Sequence, residues 1–367
     1  MKIKIHRLAA ALVGLTIFTS PFTTAYAQGS LTPPGGPAPT MKTLAQIEPR
    51  TPISSAPFTI SVPGSYYLTT NLTVSGGTAI TIATHGVTLD LNGFTIASTA
   101  PSATGSGILI SSGLRNLAIL NGFIQGSVTN NGSGLYSGSG FGHGIYRNGS
   151  PQNARVSGVS VSGCRYSGIY LGDGDSTVVE SCTVQTVGNE GIRAGTIKAS
   201  VAKDCGGIAI FGQQVADCHG ESTGNGDGLS AITALNCQGA TSSGYGLSAI
   251  NTAQNCYGQS SSGTGLYAGM AQNCYGRSTS GTGLRALTAQ NCYAQSTSGT
   301  GLYAGHTAQN CYGYSGTYTG LFAADIAIGC LGASLSGTGL GAYIANSCRG
   351  VSATGPAQSL SFKYNMP

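Results

Sequence analysis

Cysteine returns on a fixed beat through the second half of this 367-residue chain. Cys218, Cys237, Cys256, Cys274, Cys292, Cys311, Cys330 and Cys348 stand 18 or 19 residues apart. A Gly-Leu or Gly-Ile pair runs alongside, at Gly168, Gly191, Gly207, Gly228, Gly246, Gly265, Gly283, Gly301, Gly320 and Gly339. Between the two markers one unit reads Ser-Gly-Thr-Gly-Leu-Tyr-Ala, a short linker, then Ala-Gln-Asn-Cys-Tyr-Gly. A period near 20 residues leaves few architectures, because each unit buries its apolar face only against its neighbours. The repeat specifies a solenoid.

The contents of one unit decide which kind. Glycine is too frequent for helices (59 residues), and no helical period is sustained after residue 57. Eighteen residues at about 3.3 Å each give a perimeter near 60 Å, room for three short strands and three turns. In the unit starting at Gly265, Leu266 and Ala268 alternate with Tyr267, and Ala271, Cys274 and Gly276 follow on the same side. Leu, Ala, Cys and Gly facing inward make a narrow core. Asn255, Asn273, Asn291 and Asn310, each just before a cysteine, suit a left-handed bend and should stack as an amide ladder. A hexapeptide helix fails, since six residues beyond Leu266 stand Gln272 and then Ser278. The fold class expected is all-β: a right-handed parallel β-helix with 18–19 residues per coil in its C-terminal half, the hand following the bias of strand crossovers. Residues 57–355 at roughly 20 per coil make about 14 coils.

The ends read differently. Lys2, Lys4 and Arg7 precede the apolar run 8–18, and Ala25-Tyr26-Ala27 closes a secretory signal pattern over residues 1–27. That run is too short to span a bilayer, and no later segment reaches about 18 apolar residues, so no transmembrane segment is expected. Residues 28–56 are a Pro/Gly-rich arm, and 356–367, with the alternating run Leu360–Tyr364, a C-terminal cap. Charged residues make up 7% of the chain, 16 Lys and Arg against 11 Asp and Glu. Without the three signal-peptide cations the excess nearly vanishes, which excludes a nucleic-acid footprint.

With these features on the page, the chain resembles secreted bacterial right-handed parallel β-helix proteins of the pectate-lyase-like superfamily. It is especially similar to an uncharacterised group with Gly-Leu and Asn-Cys repeats. The N-terminal runs Ile47-Glu-Pro-Arg-Thr-Pro52, Pro63-Gly-Ser-Tyr-Tyr-Leu68 and Val87-Thr-Leu-Asp-Leu-Asn-Gly93 look like that group's. The resemblance implies a bacterial protein that is secreted, extracellular or at the cell surface after cleavage near Ala27. It does not imply one activity, because this fold hosts lyases, hydrolases, adhesins and binding proteins. Family lyases hold calcium on clustered Asp with a nearby basic residue, and family hydrolases combine Asp residues with Gly-His-Gly and a later Arg-x-Lys. Here Gly142-His143-Gly144 precedes Gly172-Asp173-Gly174-Asp175, the reverse of the hydrolase order, and there is no Arg-x-Lys.

Two sets of candidate site residues follow. If the strands at 144, 168 and 191 stack, Tyr146, Tyr170 and Arg193 form a row flanked by His143, Asp173, Asp175 and Glu190. Such a cluster could move protons, or bind calcium in a polysaccharide lyase or glycoside hydrolase acting near residues 143–193. The two aspartates also suit ordinary Gly-Asp turns. The second set is aromatic: Tyr257, Tyr275, Tyr293 and Tyr312 in one stripe, and Tyr267, Tyr303 and Phe322, interrupted by Arg285, in another. These stripes stiffen the sheet or offer a platform to sugar rings. The row Thr264, Thr282, Thr300, Thr319 and Thr338 reads as turn residues rather than an ice-binding array.

The cysteine row admits core filling or rung-to-rung disulfides, although parallel side chains would strain the latter. A straight row of thiols cannot surround a tetrahedral ion, so no metal site is expected of it. The expected role is non-catalytic, binding a polysaccharide or cell-envelope glycan or building an envelope layer, with no cofactor. The enzyme is the alternative, with calcium a cofactor to expect only if it is a lyase.

Overall fold

The structure, a computed structural model, describes residues 48–366 except 148, 150, 151 and 175. The expected signal segment, most of the arm and Asp175 therefore lie outside the described residues. Within them there is no helix, and hence none long and apolar enough to cross a membrane. The chain winds as a parallel β-solenoid of about 16 turns. That exceeds the about 14 expected because pairing reaches past both assumed limits. Thr51–Ile53 already pairs in parallel with Tyr66–Leu68, and Gln358–Tyr364 adds in parallel to Leu340–Asn346. The last segment thus extends the ladder by one rung rather than lying across it.

A repeat unit contains two strands. In one such turn Leu266–Gln272 bends round a corner, Asn273 and Cys274 turn the chain, and Tyr275–Ser278 runs back to the next turn. Leu266, Ala268, Ala271 and Cys274 are buried, and each repeats in register on both neighbours, as in Leu247, Leu266 and Leu284. The alternation between 18 and 19 residues has a local cause. Leu247–Gln254 carries one residue more at the corner than Leu266–Gln272, and the register shifts there between Ala249 and Thr252. One expected marker is misplaced. Ile192 pairs with Ile210, not Ile208, because Gly207 and Ile208 still belong to the preceding turn.

Core size sets coil size. The first turns are wide and filled by Ile60, Leu68, Ile80, Leu89, Ile108 and Phe141, whereas the later ones hold Leu, Ala, Cys and Gly. At Gly276 the opposing walls come so close that a Cβ would collide with the Gly283 carbonyl. Asn255, Asn273 and Asn291 take the expected left-handed bend, with φ of 54°, 54° and 52°. Asn255 donates to Asn236 at 3.1 Å, and Asn273 and Asn291 each donate to the Asn before at 3.3 Å. Gly329 replaces the next Asn after Asn310 and ends the run.

Two features lie beyond the sequence reading. A buried hydroxyl row, Ser260, Ser278, Ser296, Ser315 and Ser334, closes each turn from inside. Ser278 Oγ donates to the Gly263 carbonyl at 2.7 Å and accepts from the Gly281 amide at 2.9 Å. The turn between Ile108 and Ile145 carries an antiparallel hairpin, Ser127–Asn130 with Tyr136–Ser139. The buried Tyr136 hydroxyl binds Asp204 Oδ1 at 2.8 Å and Thr223 Oγ1 at 2.5 Å, and Asn130 Nδ2 also reaches Asp204 at 2.6 Å. Burial alone would raise the Asp204 carboxyl, but the hydrogen bonds from Asn130, Tyr136, Thr186 and Thr223 outweigh it and hold it low.

All eleven cysteines are buried and unpaired. Each repeat thiol is hydrogen-bonded, Cys274 Sγ to the Gln272 and Ala253 carbonyls at 3.2 and 3.3 Å. Burial pushes the Cys164 thiol up to about 12 and Cys182 to about 11. Hydrogen bonds to neighbouring thiols, then burial, raise Cys218, Cys256 and Cys311.

Candidate functional site

The residue after the core Leu or Ile that opens each of these strands lies on the outer side, because the residues before and after it in the alternation are in the core. Register aligns these positions into one row: Tyr146, Tyr170, Arg193, Phe211, Ser230, Ser248, Tyr267, Arg285, Tyr303 and Phe322. The cluster near residues 143–193 and the Tyr267–Tyr303 stripe are therefore two ends of a single face. Sequence spacing alone separated them, since the two serines between carry no aromatic signal.

At the N-terminal end the side chains form a continuous stack. His143 lies on Tyr146 with ring centroids 4.2 Å apart and meets Tyr166 at 5.1 Å. Tyr146 and Tyr170 are 5.5 Å apart. The Arg193 guanidinium follows, 5.5 Å from the Tyr170 centroid and 4.3 Å from that of Phe211. Arg147 crosses over Gly172, where any side chain would collide with it, and its Nε and Nη1 are buried without a hydrogen-bond partner among the described residues.

The charges pair off within this stack. Arg193 Nη1 donates to Glu190 Oε1 at 2.8 Å, and Nη2 stands 3.5 Å from Asp173 Oδ2. Burial opposes the Arg193 charge, but Glu190 first, then Tyr170 and Asp173, outweigh it and raise its affinity for the proton. His143 belongs elsewhere. Its Nδ1 accepts from the Ser167 amide at 3.3 Å, and burial pushes the imidazole down to about 4, so it is neutral at physiological pH. Glu190 occupies the position two rungs along from His143, roughly 10 Å down the axis. The structure thus gathers Asp173 and Glu190 on Arg193 and places His143 among rings. Among the described residues, no three His, Cys, Asp or Glu side chains converge as metal ligands.

Tyr257, Tyr275, Tyr293 and Tyr312 follow one another on the short-strand face with ring centroids 5.2, 4.9 and 4.9 Å apart, the first pair tilted, the middle pair edge-to-face and the last stacked. Tyr275 and Tyr293 therefore each have a ring on both sides. The Tyr257 hydroxyl donates to Gln259 Oε1 at 2.6 Å. Tyr303 is likewise stacked on Phe322 at 5.5 Å and approached by Arg285 at 5.4 Å.

A ladder of rings offers a flat face only where the ladder stops, and Phe211 is such a point. Arg193 covers one side of its ring, and the next rung on the other side is Ser230. Beside it lies a depression of about 180 Å³ lined by Asp173, Phe211, Gln213, Ser230, Ile232 and Ile250.

No protein-family model matches the chain. No curated protein matches it either. Among solved structures it is similar to the enzymatically active domain of tailspike protein 2 of bacteriophage CBA120, with 12% identity and a TM-score of 0.28. The match covers 88% of this chain and 43% of the phage chain. Likeness this low is too weak to transfer fold or function from one chain to the other.

Proposed function

We propose that this protein is an extracellular or surface solenoid that binds a neutral glycan along the face running from Tyr146 to Phe322. Export by the signal segment and kinship with the pectate-lyase-like superfamily are part of the same proposal. The observation that carries it is the single row, in which an aromatic–arginine stack, a polar saddle and a second aromatic stack follow one another on one face. Rings supply apolar surface to sugar faces while serine and glutamine meet hydroxyls. The charge on this face is mostly spent internally, because Glu190 and Asp173 hold Arg193. No cofactor is required for such binding.

Glycan-array binding of the full chain, followed by titration of the hits, tests this. Neutral oligosaccharides should bind with affinity nearly unchanged between low and physiological salt. Retention only of acidic polysaccharides, with affinity collapsing as salt rises, would contradict it and point to the arginines instead.

A further inference from the structure

Resting on the glycan-binding role proposed above, we infer that the depression beside Phe211 is a subsite for an acetamido group, so that the glycan contains N-acetylated hexosamine. Between Phe211 and Tyr267 the row holds Ser230 and the buried Ser248, a span of three rungs or about 14 Å along the axis, and Tyr245 reaches into its far end to meet Tyr267 at 5.4 Å. A sugar chain lying on both aromatic stacks bridges this saddle, and a substituent pointing down enters the depression. Its walls are unusual for an exposed surface. Ile232 and Ile250 are 37% and 64% exposed, side by side at the corner of adjacent turns, and the open side of the Phe211 ring completes the apolar wall.

The polar groups select among substituents. Gln213 Nε2 donates to the Asp173 carbonyl at 2.6 Å, which fixes the amide and leaves its Oε1 as the acceptor at the site. The Ser230 hydroxyl is the donor. An acetamido group matches this set: its methyl lies on the isoleucines, its N–H meets Gln213 Oε1, and its carbonyl accepts from Ser230. A plain hydroxyl leaves the isoleucines wet.

Calorimetry of the full chain with a β-linked N-acetylglucosamine oligomer and with the equally long cello-oligosaccharide separates these cases. The acetylated oligomer should bind about tenfold more tightly, the low end for a substituent filling an apolar pocket. The double variant Ile232→Ser/Ile250→Ser should lose that preference and keep its affinity for the cello-oligosaccharide. Ser230→Tyr, which continues the aromatic row and fills the depression, should also lose it. Equal affinity of the unaltered protein for the two oligomers would overturn the subsite and leave the glycan-binding role standing. A preference that survives both variants would overturn its location. Binding of neither oligomer, nor of any array glycan, would overturn the role and the subsite together.

Discussion

Ser296 shows how the inside of a thin coil is closed. Its fully buried hydroxyl donates to the Gly281 carbonyl at 2.6 Å and accepts from the Gly299 amide at 2.8 Å, so one side chain satisfies two turn groups in adjacent turns. Ser296→Ala strands both and should cost about 1–3 kcal/mol, read as a lower urea midpoint. Ser298→Ala, two residues on and exposed, should stay within about 0.5 kcal/mol. The thiols give a second test at this scale. With every cysteine buried out of reach of reagent, alkylation should leave the native protein unmodified, and unfolding without reductant should release all eleven. Finding at most one free thiol after unfolding would mean that disulfides join the rungs. The inward cysteine was legible because it keeps the beat and the alternation of Leu266 and Ala268. The inward serine was not, since Ser278 opens a Ser-Thr-Ser-Gly run that reads as ordinary turn polarity.

Single elements carry the pH response. The His143 imidazole has a folded-state value near 4 against an ordinary 6.5, so the unfolded chain takes up a proton first as pH falls. Stability should therefore decline from about pH 6.5 to about pH 4 and then level off with respect to this group. Asp204 acts at still lower pH: its lowered carboxyl stabilises the fold above its unfolded value, and that contribution is lost as pH falls through the folded one. His143→Gln should reduce the first decline in melting temperature, to which His219, also lowered by burial, contributes, and leave the second. An unchanged profile would show that His143 is not held neutral by burial. The hairpin is the element that sequence reading missed, because the long turn between Ile108 and Ile145 carries no repeat marker. Tyr136→Phe removes its hold on Asp204 and Thr223, and amide exchange should rise across residues 127–139 while the repeat turns stay protected.

The whole molecule follows from stacking, and its limits were harder to read than its body. The repeat fixed the period and the inward set, but the wide first turns have no common length, and the final rung looked like a cap. That rung leaves Phe362 and Tyr364 about half exposed. Deleting residues 356–367 bares the edge of Leu340–Asn346 with its core residues, and light scattering should then show soluble oligomers; a monodisperse monomer would contradict this. The union of the two candidate sites on one face also belongs to this scale, since only register across the Ser230 and Ser248 rungs reveals it. That union is tested most directly by titrating one array-selected oligosaccharide into Phe211→Ala and into Tyr275→Ala/Tyr293→Ala, with melting temperatures measured for both. Binding on the Tyr146–Phe322 face predicts about a tenfold loss of affinity for Phe211→Ala, and unchanged affinity with a lowered melting temperature for the tyrosine pair. Affinity lost in the tyrosine pair and kept in Phe211→Ala would contradict it.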